Sequence, residues 1–163
     1  MMHKQKTIKK GIVLQGRGLH TGNPVTVCLK PAEKDTGIIF RRVDLPGQPC
    51  LSPALENILV DNTVPRCTSL CKNDVVIHTV EHFMAALFGC GIDNLVIEID
   101  NNELPGLDGS GKNFLEELRA VGMVEQDARR EYIEVREPVS VYNNGSSILI
   151  VPADELKVSY ALN

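Results

Sequence analysis

The stretch VVIHTVEHFMAALFGCG, residues 75–91, constrains the fold more than any other part of the chain. Val75, Val76 and Ile77 are three β-branched residues in a row and predict a short strand. A helical pattern follows almost at once. Val80, Phe83, Met84, Leu87 and Phe88 recur at three- and four-residue steps and define one buried face. Thr79 stands where an N-cap hydroxyl belongs, Ala85 and Ala86 permit close approach, and Gly89 or Gly91 ends the helix. A strand that gives way to a one-faced helix implies a helix layered on a sheet.

The rest of the chain supplies the sheet. Ile8, Ile12 and Leu14 alternate loosely over residues 7–16 and run into Gly16-Arg17-Gly18. Val25, Val27 and Leu29 alternate up to Pro31, and GIIFRRV at 37–43 is a third short strand. These three predict an antiparallel meander. Pro46, Gly47, Pro49 and Pro53 break the pattern between Asp44 and Asn62, which predicts a loop. Thr63–Leu70 is expected as an edge strand because Pro65 cannot donate to a central ladder, and Lys72-Asn73-Asp74 turns into Val75. Asn94–Asp100 alternates as a strand. Residues 104–111 form a loop, and Phe114, Leu115, Leu118 and Val121 a second helix ended by Gly122. The fold class is α+β, a two-layer antiparallel sheet with two helices over residues 1–126. After a polar stretch at 124–130, segments 132–137, 139–142, 147–151 and 157–162 alternate, and Asn143-Asn144-Gly145 supplies a hairpin turn. They predict the first strands of a second similar domain over 127–163. That sheet has no helix to cover it, so the chain is expected to be an N-terminal fragment.

Bulk properties narrow the function classes. The net charge is −4 and the densest basic run is only Lys4–Lys10, which argues against nucleic acid as partner. No apolar run approaches the roughly 20 residues needed to span a bilayer, and the basic N-terminus lacks the apolar core of a secretory signal. Five cysteines, at 28, 50, 67, 71 and 90, are an odd number at irregular spacing. They predict reduced thiols in a cytoplasmic protein. Cys67 and Cys71 have no following Cys/His pair at zinc-finger spacing.

The chemistry concentrates at His78-Thr79-Val80-Glu81-His82. Neighbours on a helix point about 100° apart, so Glu81 and His82 suit a division of labour rather than one shared ion. A histidine can hold zinc while the glutamate takes a proton from the metal-bound water. The alternative is capping and surface electrostatics at a helix start, and His78 is expected to face outward or bond locally. Two other patterns fail. Gly106–Asn113 fits the phosphate-loop spacing G-x-x-x-x-G-K, but Asn113 replaces the magnesium-binding hydroxyl. A turn in which Asp108 or Ser110 caps the next helix explains it better. Ser110 sits in D-G-S-G rather than G-x-S-x-G and has no ordered His–Asp pair.

Together the motifs resemble one family. They are G-R-G-L-H-T-G (16–22), L-K-P-A (29–32), D-T-G-I-I-F (35–40), R-C-T-S-L (66–70), T-V-E-H (79–82), A-L-x-G-x-G-I-D-N (86–94) and L-P-x-x-D-G-S (104–110). In this order and with these gaps they are similar to the zinc-dependent UDP-3-O-acyl-N-acetylglucosamine deacetylases of lipid A biosynthesis. The resemblance implies two similar α+β domains with the active site between them, and UDP-activated acylated glucosamine as substrate. It implies His82 as a Zn²⁺ ligand and Glu81 as general base. Leu19 and His20, with Thr68, Ser69 and Leu70, would line the substrate side. The remaining zinc ligands, a further histidine with its lysine, and the acyl-chain tunnel would belong to the second domain. The chain alone is therefore expected to be inactive. The alternative is a non-catalytic binding or scaffold domain that kept the fold.

Overall fold

The computed structural model describes residues 3–60 and 64–162. Asp61, Asn62 and Thr63, at the end of the expected loop and the start of the expected edge strand, lie outside the described residues. The chain divides into two compact units, residues 1–130 and 131–163.

The first unit is built on a five-stranded sheet. Two strands come from the segment expected to hold one: β1 (Lys4–Ile8) and β2 (Ile12–Arg17). They are followed by β3 (Pro24–Pro31), β4 (Ile38–Arg42) and β5 (Cys50–Leu51), then a 3-10 turn at Leu55–Asn57 inside the loop. β6 (Leu70–Lys72) and β7 (Val75–Ile77) form a hairpin; helix α1 is Glu81–Cys90, β8 is Leu95–Ile99, α2 is Lys112–Val121 and β9 is Met123–Arg129. The sheet order is β2-β3-β8-β4-β5. The expected meander is therefore wrong in one respect. β2 and β3 pair antiparallel, but β8 lies between β3 and β4 and runs parallel to β4. Burial explains the insertion. Leu95, Ile97 and Ile99 of β8 are wholly buried, so this strand takes the centre and displaces β4 outward.

One face of the sheet carries the core. Val25, Val27 and Leu29 of β3, Phe40 of β4 and the β8 residues pack in one cluster with Phe83, Leu87, Phe114 and Leu118 of the two helices. Phe83 joins the layers, its ring edge-on to Phe40 at 6.4 Å and to Phe114 at 5.2 Å. Phe88, expected on the buried face, is 73% exposed, and Ala86 and Cys90 are buried instead. Gly91 ends α1 in the left-handed conformation, φ 67°, which glycine adopts without steric cost. Arg130 closes the same helix end, its Nη2 donating to the Gly91 carbonyl at 2.5 Å and its Nε to Asp93 at 2.7 Å.

The polar stretch after Gly122 is a strand. β9 pairs antiparallel with β1. Asn94 connects this ribbon to the main sheet: its amide donates to Gln5 and Gln126, and its oxygen accepts the Gly37 N–H. Residues 64–69 are irregular and only Leu70–Lys72 is strand, since Arg66 has a positive φ of 60°. Asn73 and Asp74 both have positive φ, the turn geometry that suits a two-residue hairpin.

In the second unit, β10 (Val139–Asn143) and β11 (Ser146–Ile150) form an antiparallel hairpin. Asn144 and Gly145 turn it, with φ of 47° and 82°. The alternating segments 132–137 and 157–162 form no strands. Alternation marks one face of a ladder, and these segments have no ladder partner among the described residues.

Candidate functional site

Glu81 is the first residue of α1, and the turn before it departs from the expected cap. Val80 occupies the N-cap position with no side-chain cap bond. Thr79 instead lies in the left-handed region at φ 59°, which a β-branched residue rarely visits, and its hydroxyl donates to Glu103 Oε1 at 2.8 Å. The helix hydrogen bonding still starts at this corner, because Met84 N–H donates to the Val80 carbonyl at 2.9 Å.

The two oxygens of Glu81 differ. Oε1 accepts the backbone N–H of Thr68. Oε2 is buried and has no hydrogen-bond partner among the described residues. Burying an unpaired carboxylate oxygen is costly. His82, the next residue, is exposed. The pair thus offers one oriented acceptor and one accessible imidazole at the start of a helix, where free backbone N–H groups favour anionic partners.

His78 does not face outward. It is half-buried and its Nδ1 lies 2.7 Å from the hydroxyl of Ser69. Its backbone is fixed on both sides, N–H to the Asn102 carbonyl at 2.8 Å and carbonyl to the Leu104 N–H at 3.3 Å. Burial lowers the His78 pKa; nearby Glu103 pulls it up, and His20 and Arg42 push it further down. Ser69 and Leu70 are buried, Thr68 is half-buried, and Leu19 is 59% exposed beside an exposed His20. Thr68 is therefore joined directly to Glu81, while Ser69 meets the site through His78.

Glu103, which no sequence motif singled out, connects the remaining pieces. It is 1% exposed. Oε1 accepts the His20 N–H at 2.9 Å, and Oε2 accepts the Thr21 N–H at 2.8 Å and the Thr21 hydroxyl at 2.7 Å. Burial raises its pKa, but these bonds and that of Thr79 outweigh it, and the carboxyl sits below its ordinary value. Gly18 makes room: a Cβ there would lie 2.2 Å from Glu103 Oε2 and 2.4 Å from Thr21 Oγ1. A sequence signal existed in retrospect, an acidic residue directly before the apolar Leu104 and Pro105 in N-N-E-L-P.

The phosphate-loop look-alike folds on itself. Asp108 Oδ1 accepts the Ser110 N–H at 3.0 Å, Ser110 Oγ accepts the Lys112 N–H at 3.1 Å, and Lys112 Nζ lies 3.8 Å from Glu116 one turn along α2. Beside it, Arg17, Leu19, Gly106 and Leu107 line a shallow groove that Glu81 and His82 do not border.

Among the described residues no group of three or more His, Cys, Asp or Glu is arranged to hold a metal ion. A catalytic zinc takes three protein ligands. The Glu81–His82 pair offers one exposed imidazole and one carboxylate oxygen without a partner among the described residues, which is too few to hold it. No helix among the described residues is long and apolar enough to cross a membrane.

A family model described as LpxC, UDP-3-O-acyl N-acetylglycosamine deacetylase, matches residues 5–163. The bifunctional enzyme LpxC/FabZ of Porphyromonas gingivalis is 41% identical over 159 residues, covering 96% of this chain and 34% of that protein. The UDP-3-O-acyl-N-acetylglucosamine deacetylase of Cellvibrio japonicus is 40% identical over 161 residues, covering 99% of this chain and 52% of its own. That of Bdellovibrio bacteriovorus is 40% identical over 162 residues, with 99% and 53% covered. The chain spans about half the length of these two deacetylases.

Proposed function

The chain belongs to the UDP-3-O-acyl N-acetylglycosamine deacetylase family, and from that premise we propose that it supplies one wall of a cytoplasmic, zinc-dependent deacetylase site. The reaction is hydrolysis of the N-acetyl group of UDP-3-O-acyl-N-acetylglucosamine. Water adds to the amide carbonyl, the C–N bond breaks, and acetate and the free amine leave. The observation that carries the reading is the divided carboxylate of Glu81. Thr68 N–H engages Oε1, which leaves Oε2, without a partner among the described residues, as the oxygen that would take a proton as general base.

His82 is one zinc donor, and zinc when bound would acidify the water and polarise the carbonyl. One donor does not hold the metal, so zinc binding is a property of the whole enzyme rather than of these residues. Leu19 and His20, exposed on the 18–22 loop, contact substrate together with Thr68 and Ser69. A scaffold domain that had lost the chemistry would have no use for an oriented carboxylate with a free oxygen.

The test is Glu81→Gln in the full-length protein. Acetate release should fall about 10²–10⁴-fold, the usual range for a positioned general base, with zinc content unchanged, while His82→Ala loses zinc. Turnover of Glu81→Gln within a few-fold of the parent would overturn the reading.

A further inference from the structure

We propose that Glu103 is a positioning residue that fixes the 18–22 loop against the turn carrying Glu81 and His82, so that the substrate side and the chemical side of the site keep one geometry. The inference rests on the reading of that site given above. Its basis is a juxtaposition of two segments far apart in sequence on one buried carboxylate. From the loop come the His20 N–H, the Thr21 N–H and the Thr21 hydroxyl. From the turn comes the hydroxyl of Thr79, two residues before Glu81.

Hydrogen bonds within the loop close its base, Gly18 N–H to the Asn23 carbonyl at 2.9 Å and Gly22 N–H to the Gly18 carbonyl at 3.0 Å, and the amides of its tip go to Glu103. Leu19 is 59% exposed and His20 is exposed, so neither anchors the tip by packing. The base is tied by the Gly106 N–H to the Arg17 carbonyl at 2.8 Å, but the amides of residues 20 and 21 both point at Glu103. The turn has backbone bonds of its own, His78 N–H to the Asn102 carbonyl and Val80 N–H to the Thr68 carbonyl, and Glu103 adds a side-chain bond to it. Thr79 holds a left-handed conformation, φ 59°, that its branched side chain disfavours, and its hydroxyl is committed to Oε1. Gly18 completes the arrangement, because any side chain there would enter the space of the carboxylate. A buried carboxylate accepts at two oxygens and donates nothing, so four donors converging on it set its position and theirs together.

Glu103→Gln keeps the shape but turns an NH₂ toward one set of these donors. In the full-length protein, KM for the acylated UDP-sugar should rise about tenfold with kcat within about threefold, because ground-state positioning is lost rather than the base. Zinc content should not change. Thr79→Val should move KM in the same direction, and Thr79→Ser, which keeps the hydroxyl, should restore the parent value. The Thr79 pair decides the matter if Glu103→Gln does not fold. An unchanged KM in Glu103→Gln and Thr79→Val, whatever their melting temperatures, overturns the inference. If Glu81→Gln turns over like the parent, the reading of the site fails instead; if Glu81→Gln is inactive while those KM values stay fixed, only the role of Glu103 fails.

Discussion

Single residues in this chain matter chiefly through what they leave room for. Gly18 has no side chain where a Cβ would lie 2.2 Å from a buried carboxylate oxygen. Gly18→Ala should therefore destabilise the fold by about 1–3 kcal/mol, the usual cost of overpacking, as read from denaturant midpoints. Acid should act at the same place. His78 and Glu103 both have lowered pKa values, so each binds fewer protons folded than unfolded, and each contributes stability that disappears as pH falls through its folded value. The loss should begin below the ordinary histidine value for His78 and below the ordinary carboxylate value for Glu103. Denaturant midpoints measured from pH 7 down to pH 4 should fall, and Glu103→Gln should flatten the lower part of that slope. Glu81 and His82 stand out as candidates in the sequence because their chemistry is local, two functional groups on adjacent residues. Glu103 does not, because its meaning lies in donors 82 and 83 residues away and in burial that no spacing encodes.

Elements were legible where one periodicity ruled. β3, β8 and both helices follow from alternation or three-to-four spacing, and Gly91 and Gly122 end the helices as expected. Three readings failed where tertiary contacts overrode local pattern. Thr79 left its cap role for Glu103, Phe88 left the core face although it sits one turn after Met84, and β4 yielded its place beside β3 to the more apolar β8. Sheet order is poorly encoded locally, since β4 and β8 pair across more than fifty residues in register Phe40 to Ile97. The joint between layers is more predictable. Phe83 is wholly buried between Phe40 and Phe114, and Phe83→Ala should cost about 3–5 kcal/mol, measurable by urea unfolding followed by circular dichroism.

At the scale of the whole molecule, every buried side chain of the core cluster lies between Ile8 and Val121, inside the first unit. Residues 1–130 expressed alone should accordingly unfold in one cooperative transition, and calorimetry would show it. The 163-residue chain by itself should release no acetate from the acylated UDP-sugar and retain no stoichiometric zinc after desalting, since it offers a single imidazole beside the base. Stoichiometric zinc with robust turnover would contradict this. The pairing of β1 with β9 has a consequence in time. Lys4 and Asp127, bonded across that ribbon, are 123 residues apart. A ribosome adding about 5–20 residues per second needs roughly 6–25 s to make the second strand after the first has emerged. Through that interval the amino-terminal strand waits with an open edge, a template on which another chain could pair.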